Sequence, residues 1–193
     1  MSDALLIALC TLLALTATIH KDARPVWAQE GVFLTEEQAP AAVFPEADHF
    51  TRRVIPTTPD LQAQIRATLA PTEPSVSEDQ YVLFDASRTA TALGCAVIVE
   101  EIGKHRPITF VVGVRPDGRV SDAAVMAYRE AYGGEVASKR FLNQYRSKSA
   151  QDALQTYGDI KNIAGATLSV DAASRAVKKA LAVAHAACNG ARP

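Results

Sequence analysis

Aromatic residues are sparse in this chain, and basic residues are not in excess. Phenylalanine, tryptophan and tyrosine make up 6% of its 193 residues, and 20 lysines and arginines stand against 21 aspartates and glutamates. A nucleic-acid-binding surface needs a basic stripe, and binding of single strands also needs aromatic rings on which bases stack. The composition therefore argues against a nucleic-acid partner, while its 48% of hydrophobic residues is ordinary for a globular core.

Cysteine and histidine are too few and too scattered to suggest a metal or haem centre. The cysteines are Cys10, Cys95 and Cys188, and neither a Cys-x-x-Cys-His motif nor a ligand pair at metal-binding spacing occurs. We therefore predict no metal site. Cys95 lies in an apolar run typical of a core strand. A Cys95–Cys188 bridge is possible outside the cytoplasm, but the sequence does not favour it.

The chain begins with a long uncharged run. Residues 4–19 are apolar apart from threonines. The run is shorter than the roughly 20 residues of a membrane span, but it fits the apolar part of a signal peptide. Val26-Trp27-Ala28 then offers a small-residue cleavage pattern. We predict that residues 1–28 are a signal peptide or an uncleaved membrane anchor, and a buried core helix is the alternative.

The following part of the chain predicts one helix. Residues 29–57 contain prolines and show no regular pattern. Thr58 and Pro59 then form a helix start, with threonine as the N-cap and proline in the first turn. Apolar side chains follow at four-residue spacing and predict one buried face, at Leu61, Ile65 and Leu69. Residues 70–79 read as a polar loop.

The middle of the chain predicts an antiparallel meander. Four short apolar runs follow one another, at residues 81–84, 92–102, 107–115 and 119–128. Asp117-Gly118, between the last two runs, is a strong hairpin signal. Short runs joined by short turns favour antiparallel pairing over βαβ crossovers.

Helical patterns return after the meander. They are predicted at residues 136–145, 150–157 and 170–187, with Ser169 as the N-cap of the last helix and Lys178 and Lys179 facing solvent. The chain is therefore predicted to be an α+β fold, an antiparallel or mixed sheet meander flanked by helices and preceded by a hydrophobic signal or anchor helix. Its domain spans residues 29–187, and residues 188–193 form a tail.

Two glycine-containing segments are the candidate functional residues. Residues 163–169 read Ile-Ala-Gly-Ala-Thr-Leu-Ser. They place the Thr167 hydroxyl at a helix entrance, where close backbone approach and the helix dipole favour a phosphate. In residues 128–135, the adjacent Gly133 and Gly134 follow a strand and predict a tight turn or close approach to a ligand.

The first segment resembles the Ser-Gly-Ala-Thr signature of FMN-binding domains, such as those in the FMN-carrying subunits of the sodium-pumping NADH:quinone reductase and the Rnf complex. The motif-bearing part is residues 93–187, where a strand, a glutamate-and-glycine loop and a helix precede Gly-Ala-Thr in a similar order. The resemblance implies FMN as cofactor, esterified through its phosphate to Thr167 by a flavin transferase. It assigns ten residues to the flavin site: Glu130, Tyr132, Gly133, Gly134, Ala164, Gly165, Ala166, Thr167, Leu168 and Ser169.

The sequence departs from the family pattern at two positions. The aspartate expected six residues before the threonine is replaced by Lys161, with Asp159 two places earlier, and the usual serine before Gly-Ala-Thr is Ala164. Three interpretations stay open. In the first, Asp159 takes the place of the motif aspartate through a shifted loop. In the second, Lys161 pairs as a point charge with the phosphate of non-covalent FMN. In the third, the domain has lost its flavin.

The resemblance predicts an exported or membrane-anchored electron-transfer protein, located at a membrane or in the periplasm, rather than a stand-alone enzyme. Glu100 and Glu101 are neighbours in a strand and face opposite sides, so they do not form an acid–base dyad. The expected partners are redox proteins in or at a membrane and a flavin transferase. The alternatives are a structural or assembly subunit that keeps the fold without flavin, and a domain that binds another anion in the same cleft.

Overall fold

The fold is built on one antiparallel sheet of six strands. The computed structural model describes residues 31–189, so the predicted signal or anchor segment lies outside the described residues. The strands are β1 (Gly31–Val32), β2 (His49–Pro56), β3 (Gln80–Arg88), β4 (Thr91–Ile102), β5 (Pro107–Val114) and β6 (Val120–Tyr128). Their order across the sheet is β1-β6-β5-β4-β3-β2. Strands β3 to β6 pair consecutively and antiparallel, which confirms the predicted meander of four strands. Strand β2, which was not predicted, pairs antiparallel with β3.

Four α-helices accompany the sheet in the described part of the chain: α1 (Ala39–Val43), α2 (Pro59–Leu69), α3 (Lys139–Leu142) and α4 (Thr167–Ala184). The predicted α+β class is confirmed. Helix α2 begins as expected, because Thr58 Oγ1 accepts a hydrogen bond from the Leu61 N–H at 3.2 Å. None of these helices is long and apolar enough to cross a membrane.

Helices cover both faces of the sheet. Alternate side chains of each strand point to opposite faces. On one side, strand residues such as Val97 and Val112 join the larger core with residues of α2 and α4. On the other side, Ala96 and Val111 pack with α1 and Phe44 in a smaller core. Helix α4 therefore lies on the sheet next to α2.

Several predicted elements differ from the structure. Irregular structure over residues 29–57 is wrong, because β1, α1 and β2 lie there. Strand β2 is an edge strand with mostly exposed or half-exposed side chains, so it has no apolar run to reveal it. The helix expected over residues 136–145 is broken into α3 and two flanking 3₁₀ turns, Gly134–Ala137 and Asn143–Tyr145.

The helix expected over residues 150–157 is also wrong. Aspartate side chains take the amides that a helix would need. Asp152 accepts a hydrogen bond from the Ser149 N–H at 2.8 Å. Asp159 accepts from the N–H groups of Leu154 at 3.2 Å and Gln155 at 2.8 Å. The segment is therefore an irregular loop that is held by its own carboxylates.

Cys95 lies in the larger core, as its apolar surroundings in the sequence predict. It is also disulfide-bonded, although the sequence did not favour a bridge there. The side chains of the other two cysteines lie outside the described residues.

Candidate functional site

Helix α4 begins three residues earlier than expected, at Thr167. Gly165 has a φ of +80°, a left-handed conformation that turns the chain into the helix. Ala166 is the N-cap residue. The prediction that Ser169 caps the helix is therefore wrong. Ser169 is buried in the first turn, with its Oγ 3.0 Å from the Tyr128 hydroxyl.

The entrance of α4 is open to an anion. Its N-cap residue is an alanine, and no side chain caps the helix within the described residues. The first N–H groups of a helix have no partner inside it, and the helix dipole adds partial positive charge there. The Thr167 side chain at this end is partly exposed, whereas Ala166 beside it is buried. Donors and positive potential therefore lie next to the hydroxyl of a partly exposed threonine.

An asparagine outside the sequence motif, Asn162, holds this hydroxyl. Asn162 Nδ2 donates to Thr167 Oγ1 at 2.9 Å and to the Tyr157 hydroxyl at 2.6 Å. The Asn162 Oδ1 is buried and has no hydrogen-bond partner in the described part of the chain. One amide group thus connects Thr167 to the exposed ring of Tyr157. The sequence pattern offers no signal for this bridge.

A cleft of about 510 Å³ opens beside Thr167. Residues 69–72 form one wall, residues 153–157 form another, and α4 forms the floor. The floor residues are Thr167, Asp171, Ser174, Arg175 and Lys178. Ligand pockets commonly measure about 300–1,000 Å³. The space is therefore large enough for a small-molecule cofactor.

The second glycine segment meets the entrance of α4 at Gly133. This residue has a φ of +85°, and a Cβ placed on it would lie 2.9 Å from both Ser169 Oγ and the Tyr128 hydroxyl. The pKa of Tyr128 is raised, because burial outweighs the lowering effect of its hydrogen bond with Ser169. Gly133 therefore allows the loop to touch the first turn of α4, so the structure brings the two glycine segments together.

The other candidate residues of this loop, Glu130, Tyr132 and Gly134, lie in three different environments. Glu130 is buried, and its carboxylate accepts hydrogen bonds from the backbone N–H groups of His105 and Arg106 in the β4–β5 turn. Burial raises the pKa of Glu130, but these N–H groups outweigh it, so its pKa stays below the usual value. Tyr132 is exposed, and Gly134 is buried at the start of a 3₁₀ turn. A flavin-facing role for these three residues remains a prediction.

The comparison with known families identifies the segment that contains this arrangement. Residues 103–182 match the model of the FMN-binding domain. That range contains both glycine segments, the cleft-lining residues 153–157 and most of α4. This chain carries an FMN-binding domain. The resemblance noted in the sequence is thereby confirmed at the level of the family, and no curated protein matches the chain.

The residues of this FMN-binding domain fit the cofactor of the family. The phosphate of FMN suits the uncapped entrance of α4, and the cleft beside it suits the rest of the molecule. The buried Asn162 Oδ1, which has no hydrogen-bond partner among the residues described, is a polar atom suited to a ligand. Ala164, Gly165 and Leu168 are exposed around Thr167 and leave it accessible.

Asp159 and Lys161, the two residues that bear on the missing motif aspartate, differ in how their side chains are engaged. Asp159 Oδ2 lies 2.8 Å from Lys148 Nζ, and the carboxylate also holds two loop amides. Burial raises the pKa of Asp159, but these hydrogen bonds outweigh it and keep its pKa below the usual value. Its carboxylate is therefore occupied within the loop. Lys161 is exposed, and its backbone N–H donates to Gln144 Oε1 at 2.8 Å.

Lys179, expected to face solvent, is fully buried. Its Nζ lies 2.6 Å from Glu101 Oε1 and 3.1 Å from Glu78 Oε2, and it donates to the carbonyls of Val76 at 2.8 Å and Glu100 at 2.7 Å. The expectation is wrong because these acceptors replace water around the ammonium group. They lie about 80–100 residues away in the chain, so no local pattern reveals them.

The ion cluster of Lys179, Glu101, Glu78 and Arg175 supports one wall of the cleft. Glu101 Oε2 accepts a hydrogen bond from the Ser75 N–H at 2.9 Å and from Arg175 Nε at 3.0 Å. The cluster therefore ties residues 75–78 to α4, directly after the wall formed by residues 69–72. Glu100 points to the other face and accepts from Thr109 Oγ1 at 2.6 Å, so the two neighbouring glutamates are separated as predicted.

Proposed function

We propose that this protein is an exported or membrane-anchored electron carrier that holds FMN through a phosphoester to Thr167. The observation that carries the proposal is the position of Thr167, a partly exposed residue at the uncapped entrance of α4. It stands beside a cleft of suitable size, inside the segment that matches the FMN-binding domain.

In the proposed attachment, Thr167 Oγ1 is the nucleophile. A flavin transferase presents an FMN phosphoanhydride, such as a flavin dinucleotide. The Oγ1–phosphorus bond forms, the anhydride bond breaks, the nucleotide half leaves as its monophosphate, and the hydroxyl proton goes to solvent. A Cβ placed on Gly165 would meet nothing within 4 Å, so a second protein can approach the threonine from that side.

Covalent attachment matches the weakness of the anion site. The phosphodiester keeps one negative charge, and a helix N-terminus stabilises an exposed anion by only about 0.3–1 kcal/mol. The cleft floor adds the Lys178 ammonium, which has no ion-pair partner within the described part of the chain, but it lies three helical turns further along α4. A single ester bond at Thr167 would retain a cofactor that this site holds weakly.

Electron relay suits the residues of the cleft better than independent catalysis. Bound FMN supplies one- and two-electron transfer, and the protein sets the potential by burial and hydrogen bonding. The Asp171 carboxylate accepts a hydrogen bond from Thr156, and Arg175 is engaged with Glu101. These groups shape the cleft rather than supply an acid–base pair. The partners would be redox proteins in or at a membrane.

The disulfide at Cys95 supports the proposed location. Disulfides persist mainly in oxidising compartments, such as the periplasm. The uncharged run at residues 4–19 fits export or anchoring. Both features agree with a carrier that cannot draw on a cytoplasmic pool of free flavin and is supplied by a transferase.

Covalent flavin can be tested on a denaturing gel. The chain is co-expressed with a flavin transferase, denatured and viewed under ultraviolet light. We expect a fluorescent band that disappears in Thr167→Ala and is retained in Thr167→Ser, which keeps a hydroxyl. Thr72→Ala, at another cleft threonine, is the matched control and should keep the band. Intact-mass analysis checks that the added mass is that of FMN.

Each other outcome has a defined meaning. A band that persists in Thr167→Ala contradicts the assigned threonine. Yellow colour that is lost on denaturation shows a non-covalent cofactor. A colourless protein supports the alternative, a structural or assembly subunit that keeps the fold without flavin. Lys161 and Ala164, which replace the aspartate and serine of the family motif, are the observations that favour this alternative.

A further inference from the structure

Tyr157 combines two features that seldom occur together. Its side chain is 78% exposed, and its φ is +67°. A bulky residue with positive φ is a genuine outlier, and such strain persists only where the surroundings impose it. Since an exposed ring gains little from packing, the fold does not need a tyrosine here for its stability.

Hydrogen bonds hold Tyr157 in this conformation. Its N–H donates to the carbonyl of Ile160 at 3.0 Å, and its hydroxyl accepts from Asn162 Nδ2 at 2.6 Å. The same Nδ2 donates to Thr167 Oγ1 at 2.9 Å. The ring is therefore fixed relative to the hydroxyl that the proposed function esterifies, although ten residues separate the two in the chain.

Position also separates Tyr157 from the other exposed tyrosine of the region. Tyr157 lines the cleft together with Thr167. Tyr132, which is 79% exposed, is not among the residues that line it. An exposed aromatic ring at the rim of a cleft offers a flat apolar surface to another ring system, and offset stacking is a favoured geometry for such pairs.

We propose that Tyr157 is the aromatic surface on which the flavin ring system stacks, with Asn162 as the positioning residue that fixes the ring relative to Thr167. This inference rests on the proposed function, since it requires FMN at Thr167. It adds two residues that the motif of the family does not contain, and it gives a physical reason for a tyrosine with a positive φ at an exposed loop position.

Flavin fluorescence tests the proposal, because a tyrosine ring in contact with an excited flavin quenches it by electron transfer. The fluorescence of the native loaded protein is divided by the amount of flavin that is measured after denaturation. We expect Tyr157→Leu to raise fluorescence per bound flavin at least threefold and to lower its anisotropy. The matched control Tyr132→Leu, at an equally exposed tyrosine, should change neither. Asn162→Ala should give an intermediate rise, because the ring remains but its position is released.

A second measurement on flavin-free protein checks that Tyr157 has no structural role. Tyr157→Gly removes the strained side chain, so the Tm should stay the same or rise by about 2–4 °C. A lower Tm would show that the ring stabilises the fold and would overturn the proposal.

The proposed function and the stacking role of Tyr157 can fail separately. If the unaltered protein carries no flavin, the proposed function fails and the stacking role fails with it. If the unaltered protein is loaded but Tyr157→Leu leaves fluorescence unchanged, only the stacking role is wrong. A rise in Tyr132→Leu instead would place the flavin ring on the opposite side of α4.

Discussion

Replacing Lys179 by methionine should strongly destabilise the protein. The ammonium group is fully buried between Glu101, also fully buried, and Glu78, which is 15% exposed. Methionine keeps most of the apolar stem but removes the charge and the donors to the Val76 and Glu100 carbonyls. The change therefore leaves two carboxylates and two carbonyls short of a partner in the interior.

The expected loss follows from what remains around Glu101. Removing one partner of a buried ion pair typically costs about 3–5 kcal/mol. Arg175 and Ser75 still donate to Glu101 Oε2, so we expect the lower end, about 3 kcal/mol. For a domain of this size, that corresponds to a fall in Tm of roughly 6–12 °C.

Equilibrium urea denaturation followed by circular dichroism measures this loss. Lys178→Met is the matched control. That lysine is the adjacent residue, is partly exposed and has no hydrogen-bond or ion-pair partner within residues 31–189, so its change should stay within about 0.5 kcal/mol. Adding Glu101→Gln to Lys179→Met should restore part of the stability, because the unpaired charge is removed. A loss below about 1 kcal/mol in Lys179→Met would refute the buried ion cluster.

Three further changes test the site and the stability of the fold. Gly165→Val should abolish flavin incorporation in a folded domain, because valine resists the left-handed φ of +80° while the space around the residue is open. Circular dichroism and the fluorescent gel check this, and normal loading would contradict the site. Lys161→Asp, which restores the motif aspartate, should raise the yield of flavin-carrying protein on the same gel. An unchanged yield would show that the transferase does not need that aspartate here. Reducing the Cys95 disulfide should lower the free energy of unfolding by about 2–5 kcal/mol. Urea midpoints with and without reductant measure this, and equal midpoints would refute it.

Local signals in the sequence predicted the centre of the fold. Thr58-Pro59 marks the start of α2, and Asp117-Gly118 marks the β5–β6 hairpin, in which Gly118 has a φ of +75°. Strands β3 to β6 are revealed by their apolar runs, because each contains buried side chains and nearly all of those in β5 and β6 are buried. Strand β2 is hidden because an edge strand that is mostly open to solvent can be largely polar.

The candidate site was only partly predictable, because its contacts join distant segments. The Gly-Ala-Thr stretch identifies Thr167 directly. The start of α4 was misplaced by three residues because Ser169 looks like an N-cap, whereas the left-handed Gly165 lets the helix begin earlier. Asn162 and Tyr157 take their roles from one amide that reaches two hydroxyls. Such a bridge has no periodicity or motif that a sequence could show.

Acid should loosen the loop that carries Tyr157, because Asp159 holds it. The Asp159 carboxylate binds Lys148 and the N–H groups of Leu154 and Gln155, and its pKa in the folded protein is lowered. A carboxylate whose pKa is lowered by folding stabilises the folded protein. This contribution is fully present above the pKa of the unfolded chain, about 3.9, and it is lost as the pH falls through the pKa of the folded protein. Stability should therefore fall as the pH drops below about 5 towards the lowered pKa of the folded protein.

Asp159→Asn separates this contribution from the general effect of acid. The variant should be less stable at neutral pH, because asparagine cannot pair with the Lys148 charge, and its urea midpoint should depend less on pH in the acid range. Asp152, whose pKa is also lowered and which lies 3.7 Å from Lys148, retains part of the dependence. A variant whose midpoint falls as steeply with acid as that of the unaltered protein would show that Asp159 does not hold the loop. In loaded protein, flavin fluorescence should rise over the same pH range, because release of the loop frees the Tyr157 ring from the cleft.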